Sequence, residues 1–326
     1  MTVVSVAIKI LSTFAEQLQL IDHPNHRKQH EGNIPLVGGI AMFLGLVMGV
    51  ILLVSEYVQI IPLLFMSFVM LIIGIIDDRN EVTVFPKLFF QVIVALVMAS
   101  ILGVTLQSFG FIFGDNEVLT GKFGLFFTII AIVGSTNSFN VMDGLDGLAG
   151  GLGIIIFSSI SGLAYIKSNI DIFNITLVYI FTLLPFLYFN LSFKNKVFMG
   201  DAGTLLIGLG IVWLLIVCSQ GEQNIFNPVT ALWIFAVPLI DSVSIIFLRI
   251  KNRKSPFLPD LNHIHHQIKK QYKYTNQKIV IIILVISSLL SIVGILGQII
   301  LLPEWIMFLG FVTLFFLYLI FLLKSA

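Results

Sequence analysis

Long apolar segments alternate with short polar loops along the whole chain. A helix that crosses a bilayer needs about 20 apolar residues, with a range of roughly 17–25. Eleven segments approach or meet this length, and we interpret each one as a transmembrane helix. Their predicted bounds are 3–20, 37–54, 60–76, 88–106, 123–139, 148–166, 173–190, 204–219, 229–249, 279–300 and 304–323. The pattern predicts an all-α polytopic membrane protein with about 11 transmembrane helices, folded as a single domain over residues 1–326.

The composition supports this interpretation. The chain is 58% hydrophobic and 11% charged, whereas soluble domains are about 45–50% apolar and about 25% charged. The first apolar segment lacks a basic region and an Ala-x-Ala cleavage site, so we expect a retained helix rather than a signal peptide. The single Cys218 excludes an intramolecular disulfide. A net charge of +1 gives no reason to expect a nucleic-acid partner.

The distribution of basic residues predicts the orientation. Fifteen of the 18 Lys and Arg residues fall in one set of alternate loops and the C-terminal tail, while the opposite loops hold only Lys122 and Lys167. Cytoplasmic loops carry an excess of Lys and Arg, so we expect a periplasmic N-terminus and a cytoplasmic C-terminus. The same assignment places the longest loop, 250–278, in the cytoplasm.

The most polar stretch beside a predicted helix is NSFNVMDGLDGLAGG, residues 137–151. Gly144 and Gly147 indicate that the helix breaks within it. Ionisable residues beside a membrane span suggest a functional site, and carboxylates and carboxamides near bare glycine backbone suit a hydrated cation and the phosphates that it carries. The alternative is a Gly-rich junction that only packs helices. The polar members recur every three residues: Asn137, Asn140, Asp143 and Asp146.

The third predicted helix ends in GIIDDRNE, which places Asp77 beside Asp78. Adjacent carboxylates repel each other, and a divalent metal or a nearby cation such as Arg79 or Lys87 would relieve the repulsion. The pair suits a general base, a metal ligand or both. The alternative is a solvated helix end.

Asp201 lies between Gly200 and Gly203 in KVFMGDAG, at the start of an apolar segment. Exposed N–H groups at a helix start favour phosphate oxygens, and a carboxylate there can hold a bridging metal. The alternative is that Asp201 simply caps the helix.

Three histidines, His263, His265 and His266, lie within four positions of the loop 250–278. Their spacing spreads them around a helix and no Cys accompanies them, so we favour contacts to phosphate over a zinc site or a solvated cluster. Asp241 lies inside the ninth predicted helix, and we interpret it as a structural acid that faces the helix bundle.

Together these motifs resemble the polyprenyl-phosphate N-acetylhexosamine-1-phosphate transferase family (glycosyltransferase family 4), and most closely its enterobacterial N-acetylglucosamine branch. The resemblance extends over nearly the whole chain. The matching stretches are DHPNHRKQH, IPLVGGIAMF, DDRNE, NSFNVMDGLDGL, KVFMGDAG, NPVTALWIFAVPLID and SPFLPDLNHIHH.

The resemblance implies a bacterial inner-membrane enzyme with its active site on the cytoplasmic face. Such an enzyme transfers an N-acetylhexosamine-1-phosphate, most simply GlcNAc-1-phosphate, from a UDP-sugar to undecaprenyl phosphate and releases UMP, with Mg²⁺ or Mn²⁺. It carries out the first membrane step of a surface polysaccharide pathway of the O-antigen or common-antigen type, and a homo-oligomer is compatible with this role. Direct attack by the acceptor and an enzyme-bound phosphosugar are both open.

The resemblance also implies roles for single residues. Asp201 and Asn140 would bind the metal, and Asp77 and Asp78 would form the catalytic acidic pair. The substrate-binding residues would be Asn137, Asn140, Asp143, Asp146, Phe198, Lys87, His263, His265 and His266, with Phe198 near the uracil.

Two positions depart from the family pattern. Thr204 stands where relatives often have Ser, and Leu261 stands where relatives of the closest branch have a basic residue, which bears on the choice of sugar.

Two other classes of protein also have carboxylates in membrane helices. In a transporter or proton-coupled pump the carboxylates lie near the membrane midplane. An intramembrane aspartyl protease would not need the Asn, His and Lys groups.

Overall fold

The computed structural model describes residues 1–24, 32–54, 60–80, 82–103, 105–221, 224–256 and 262–325, so Leu261 lies outside the described residues. The described residues form thirteen α-helices and two short strands. In chain order these are α1 (Thr2–Phe14), β1 (Ile21–Asp22), β2 (Ile34–Pro35), α2 (Gly38–Leu53), α3 (Ile61–Asn80), α4 (Val84–Leu102), α5 (Gly124–Val141), α6 (Leu148–Ile166), α7 (Ile170–Asn190), α8 (Gly200–Ser219), α9 (Pro228–Ile234), α10 (Ala236–Lys251), α11 (Ile264–Tyr272), α12 (Asn276–Ile299) and α13 (Glu304–Ser325). The strands pair antiparallel with each other.

The helices confirm an all-α polytopic membrane protein. Within the described ranges, eight helices are long and apolar enough to cross a membrane, and α9 and α10 together make a ninth candidate that is bent by 85°. The helices α1 and α2 are apolar but shorter. Each of the eleven predicted segments coincides with one of these helices or with the bent pair, and the count of eleven spans stays a prediction.

Two predicted segments differ markedly from the observed helices, whereas the bounds of the other nine agree to within four residues. The first helix ends at Phe14 rather than at residue 20, because the chain turns after it and Gln19 takes a positive φ of 54°. The ninth segment, predicted as one helix, breaks at Phe235 between α9 and α10. Pro238 explains the break, since it has no N–H to donate to the carbonyl of Ile234. That carbonyl accepts a hydrogen bond from Ser291 of α12 instead, at 3.4 Å.

The central helix of the bundle is α8, which packs against α2, α3, α5 and α6. Almost every residue of α8 is buried. Two glycines bring its neighbours close: a Cβ at Gly39 of α2 would overlap the backbone of Gly203, and a Cβ at Gly74 of α3 would overlap the backbone of Ala202. The start of α8 is therefore held tightly between α2 and α3.

Candidate active site

Four helix ends meet at the candidate site, and one of them is the start of α8. The end of α3 supplies Asp77 and Asp78, the start of α4 supplies Lys87, the end of α5 supplies Asn140, and the first turn of α8 supplies Asp201. We call these five residues the helix-end cluster. Their contacts join residues up to 123 positions apart, so the fold brings together the motifs that the sequence predicted as one site.

Lys87 is the cation of the helix-end cluster. Its Nζ donates to Asp77 Oδ2 at 2.7 Å and also contacts Asp201 Oδ2. The other oxygen of Asp77 accepts the backbone N–H of Val82 at 2.8 Å. Lys87, one of the two cations considered for this acidic pair, therefore makes an ion pair with Asp77.

Asp78 has a different environment from Asp77. Its two carboxylate oxygens accept the backbone N–H groups of Asp201, at 2.8 Å, and of Ala202, at 3.2 Å. These are among the N–H groups that have no partner within an α-helix, so Asp78 caps α8 from a neighbouring helix. Gly200 makes this approach possible, since it has a positive φ of 66° and a Cβ there would meet the Asp78 carboxylate. Asp78 thus occupies two of the N–H groups at the start of α8, a kind of group that the sequence analysis considered for phosphate binding.

The asparagines of α5 have two roles in the structure. Asn140 Nδ2 donates to Asp201 Oδ2 at 3.3 Å. This leaves the side-chain oxygen of Asn140, Oδ1, for another ligand. Asn137 donates to Gln91 Oε1 of α4 at 2.5 Å and to the Val133 carbonyl at 2.8 Å. Gln91 is fully buried and was missed by the sequence analysis. A signal was present, since Gln91 is a polar residue in an apolar segment one helical turn after Lys87.

The turn between α5 and α6 carries Asp143. This side chain is partly buried, and burial together with the nearby carboxylates of Asp201, Asp78 and Asp146 raises the pKa of Asp143 well above its usual range. The predicted helix break is confirmed, with Gly147 at a positive φ of 82°. This turn therefore places the carboxyl group of Asp143 beside the helix-end cluster, where a bound cation would favour its ionised form.

Asn190, the last residue of α7, holds the turn between α5 and α6 in place. Its Oδ1 accepts the N–H of Gly147 at 2.7 Å, and its Nδ2 donates to the carbonyl of Val197 at 3.0 Å. Asn190 is buried and joins the turn to the segment that leads into α8. Sequence reasoning missed it, although a polar residue at the very end of an apolar segment was the available signal.

Asp146, Lys196 and Phe198 form a second group of interacting side chains, outside the helix-end cluster. Lys196 Nζ is 2.5 Å from Asp146 Oδ2 and 5.3 Å from the centre of the Phe198 ring. The backbone of Phe198 is held by Pro35, whose carbonyl accepts its N–H at 2.9 Å, and by Gly38, whose N–H donates to its carbonyl at 3.1 Å. Asp146 and Phe198, both predicted to contact the nucleotide, are therefore neighbours in the structure.

The histidines lie at the start of α11. His265 is buried at 2% exposure, and a Cβ at Gly144 would overlap its Nε2. Burial, with smaller effects from His266, His263 and Lys269, lowers the pKa of His265 to about 3, so this ring is neutral at pH 7. The ring of His266 is 4.2 Å from that of His265. The fold thus places the predicted histidine motif against the turn that carries Asp143.

The donors of the helix-end cluster suit a hard cation. The carboxylates of Asp77 and Asp201 and the side-chain carbonyl of Asn140 are oxygen donors, and the carboxyl group of Asp143 lies nearby. Lys87 pairs with Asp77 and Asp201. Across the described ranges, no group of three or more His, Cys, Asp or Glu side chains is arranged to hold a metal ion by itself. Mg²⁺ is usually bound through one or two carboxylates together with substrate phosphates, and the oxygen donors of the helix-end cluster would fit such an ion.

Comparison with known proteins identifies the class that this fold and site define. The family model for glycosyl transferase family 4 matches residues 60–219, a range that includes the whole helix-end cluster. Curated relatives extend the match over most of the chain, and the chain belongs to this family.

Those relatives are named undecaprenyl-phosphate alpha-N-acetylglucosaminyl 1-phosphate transferase. The chain is 41% identical to the protein of Haemophilus influenzae over 316 residues, which cover 95% of this chain and 88% of the relative. It is 41% identical to the protein of Pasteurella multocida, with 93% and 86% covered. It is 38% identical to the protein of Escherichia coli K12, with 93% and 84% covered.

Proposed function

We propose that this protein transfers GlcNAc-1-phosphate from UDP-GlcNAc to undecaprenyl phosphate and releases UMP. The curated relatives carry this activity in their names, and the helix-end cluster supplies the charges that such a reaction needs. One observation carries the proposal: Lys87, Asn140 and Asp201 meet at the start of α8, within the range that matches the family model.

The reaction is a displacement at phosphorus. An oxygen of the acceptor phosphate forms a bond to the β-phosphorus of the UDP-sugar, and the bond from that phosphorus to the bridging oxygen breaks. UMP leaves with the bonding electron pair. The second pKa of a phosphate monoester is about 6, so the acceptor is largely a dianion at neutral pH. The main tasks of the protein are therefore to align two anions in line and to stabilise the charge that develops.

The described contacts suggest a division of these tasks. Lys87 is close enough to both Asp77 and Asp201 to move between carboxylate and phosphate when substrate binds. Asp77 is proposed to take the proton of an acceptor that arrives as a monoanion. Protonation would weaken the ion pair of Asp77 with Lys87, so that Lys87 could then bind phosphate. We propose that Asp78 positions Asp201 by capping α8 and does not itself contact the reacting atoms.

Asp201 and Asn140 would hold the Mg²⁺ or Mn²⁺ that the family implies, together with oxygens of the diphosphate. Bound there, the metal would supply positive charge that neutralises phosphate oxygens and favours the departure of UMP. The surplus of carboxylates over Lys87 in the helix-end cluster supports this assignment. The partly buried Asp143 adds to that surplus and favours a cation nearby.

Asp146, Lys196 and Phe198 are proposed to line the nucleotide end of the site. Asn137 lies against Gln91, so its role is to fix the geometry between α4 and α5. His263, His265 and His266 are proposed to contact the sugar or the phosphates. With neutral His265 against Gly144, we expect hydrogen bonding rather than charge from that ring.

The membrane placement belongs to the same proposal. We place the site on the cytoplasmic face of the inner membrane, with eleven spans, a periplasmic N-terminus and a cytoplasmic C-terminus, because the basic loops lie on the side of the helix-end cluster. The lipid phosphate and the nucleotide sugar both reach this face. Such a lipid-linked sugar would start a surface polysaccharide.

The transporter alternative has no support from the comparisons. The carboxylates of the helix-end cluster also lie at helix ends rather than in mid-helix, where transporter sites occur. We retain the transferase as the one proposed function.

Purified protein tests the proposal. The assay supplies undecaprenyl phosphate, Mg²⁺ and either UDP-GlcNAc, UDP-GalNAc or UDP-glucose, and measures UMP. We expect UMP from UDP-GlcNAc and much less from UDP-glucose, whereas Lys87→Gln should release little from any donor. No UMP from any of the three donors with well-folded wild type would overturn the proposal.

A further inference from the structure

A second buried acid lies away from the helix-end cluster. Asp241 is in α10, one and a half turns after the break at Phe235, and only 1% of it is exposed. A buried carboxylate costs several kcal/mol unless hydrogen bonds compensate for its lost hydration, and acids within membrane segments are functional-site hypotheses. The contacts of Asp241 therefore identify what it does.

The carboxylate of Asp241 joins three parts of the chain. Oδ2 lies 2.7 Å from Nδ1 of His263. Oδ1 accepts the backbone N–H of Ile264, the first residue of α11, at 2.9 Å. Oδ1 also accepts the hydroxyl of Tyr318 in α13 at 2.6 Å. One side chain thus fixes the start of α11 against α10 and α13.

These contacts define the protonation of the His263 ring. An amide and a phenol both donate to the Asp241 carboxylate, and a carboxylate only accepts hydrogen bonds. The Nδ1 of His263 must then carry a hydrogen, and in a neutral ring the lone pair is on Nε2. The ring is nearly parallel to that of His265, at 6.3 Å and 9°, and His265 packs on Gly144 beside Asp143.

We infer that Asp241 is a positioning residue for the transferase reaction. It holds His263 as the Nδ1-protonated tautomer and fixes the histidine segment against the turn that carries Asp143. This inference rests on the proposed function for its kinetic consequence, whereas the tautomer is independent of it.

Asp241→Asn is the informative substitution. Its carboxamide oxygen can still accept from Ile264 and Tyr318, but its NH₂ group then faces His263 and requires an acceptor there. The hydrogen of the His263 ring is expected to move to Nε2, at nearly constant side-chain volume. Carboxylate partners that orient metal-bound histidines contribute about 10- to 100-fold to activity or affinity, and we expect turnover to fall within that range.

The first measurement is nitrogen NMR of isotope-labelled histidine in the purified protein. The chain has six His, and the His263→Gln spectrum assigns the His263 signals. Wild type should show a hydrogen on Nδ1 of His263, and Asp241→Asn should show it on Nε2. A wild-type His263 ring without a hydrogen on Nδ1 would overturn the inference even if Asp241→Asn does not fold.

The second measurement is a double-mutant cycle on the rate of UMP release. If Asp241 acts through His263, Asp241→Asn should lower the rate less than about twofold in the His263→Gln background, because coupled residues are not additive. If the rate loss of the double variant equals the product of the two single losses, the two residues act independently and the inference is contradicted. Ser244→Ala is the control, since Ser244 is buried on the same helix and its hydroxyl has no hydrogen-bond partner among the described residues. A wild type that releases no UMP would refute the proposed function but leave the NMR result standing.

Discussion

The carboxylate of Asp78 caps the helix that contains Asp201, with its oxygens 2.8 Å from the Asp201 amide and 3.2 Å from the Ala202 amide. Its neighbour Asp77 makes an ion pair with Lys87 at 2.7 Å. Two adjacent acids of the same motif therefore have different tasks. Asp78 stabilises and places α8, and Asp77 faces the cation of the site.

Substitution by Asn should separate these tasks. Asp78→Asn keeps one acceptor and loses the other, so we expect it to lower stability by about 1 kcal/mol, as loss of a helix cap does, and to lower activity through displaced Asp201. Asp77→Asn should lower turnover by roughly 10²- to 10⁴-fold, the range for a positioned base, with a smaller change in KM for UDP-GlcNAc. Melting temperature and steady-state kinetics of both variants decide between the roles. Unchanged turnover of Asp77→Asn with a raised KM would place Asp77 at the donor end instead.

The metal assignment predicts a binding defect as well as an activity defect. Asp201→Asn removes a carboxylate from the proposed Mg²⁺ or Mn²⁺ ligands, and we expect most activity to be lost, since metal stabilisation of phosphate charge contributes several kcal/mol. Electron paramagnetic resonance of added Mn²⁺, with UDP-GlcNAc present, should show weaker binding to this variant than to wild type. Asp115→Asn, on an exposed side chain between α4 and α5, is the control for Mn²⁺ binding. Full activity of wild type in excess chelator would exclude the metal role.

His265 predicts a specific dependence of stability on pH. Its pKa in the fold is about 3, below its ordinary value of 6.5, so protonation favours the unfolded chain. The stabilisation is complete above pH 6.5 and is lost as the pH falls toward 3, with a slope of at most about 1.4 kcal/mol per pH unit for one group. Melting temperatures between pH 7 and pH 5 should therefore fall more steeply for wild type than for His265→Gln. The same slope in both proteins would contradict a buried neutral ring, and His23→Gln, on an exposed side chain, serves as the control.

The proposed orientation can be tested by labelling in intact cells. In a Cys218→Ala background, Phe193→Cys introduces a thiol at an exposed position between α7 and α8, beside the site, and Lys122→Cys introduces one before α5. A membrane-impermeant maleimide should label the second variant and reach the first only after the cells are opened. Labelling of Phe193→Cys in intact cells would reverse the proposed topology.

Much of the fold was predictable because the bilayer imposes a simple rule on sequence. Runs of apolar residues long enough to span it mark helices, and all eleven predicted segments coincide with helices in the structure. The errors lie where another force acts. Pro238 breaks the ninth segment at a point that hydropathy does not register, and the first helix ends early because a turn at Gln19 leads into β1.

The site was predictable as a set of motifs but not as a set of contacts. The sequence placed Asp77, Asp143 and Asp201 near helix ends, and the family resemblance joined them. The sequence did not indicate that Asp78 caps α8, because that contact depends on how closely Gly74 lets α3 approach α8. Gln91 and Asn190 were missed for a similar reason, since a single amide in an apolar segment gives no sign of its partner.

The central claim is that the group transferred is a sugar-1-phosphate rather than a sugar. UDP-GlcNAc with radioactive phosphorus at the β position tests this directly, with purified protein and undecaprenyl phosphate. The account predicts that the β-phosphorus label moves into the lipid and that unlabelled UMP appears in equal amount. Labelled UDP as the released nucleotide, with no label in the lipid, would contradict it.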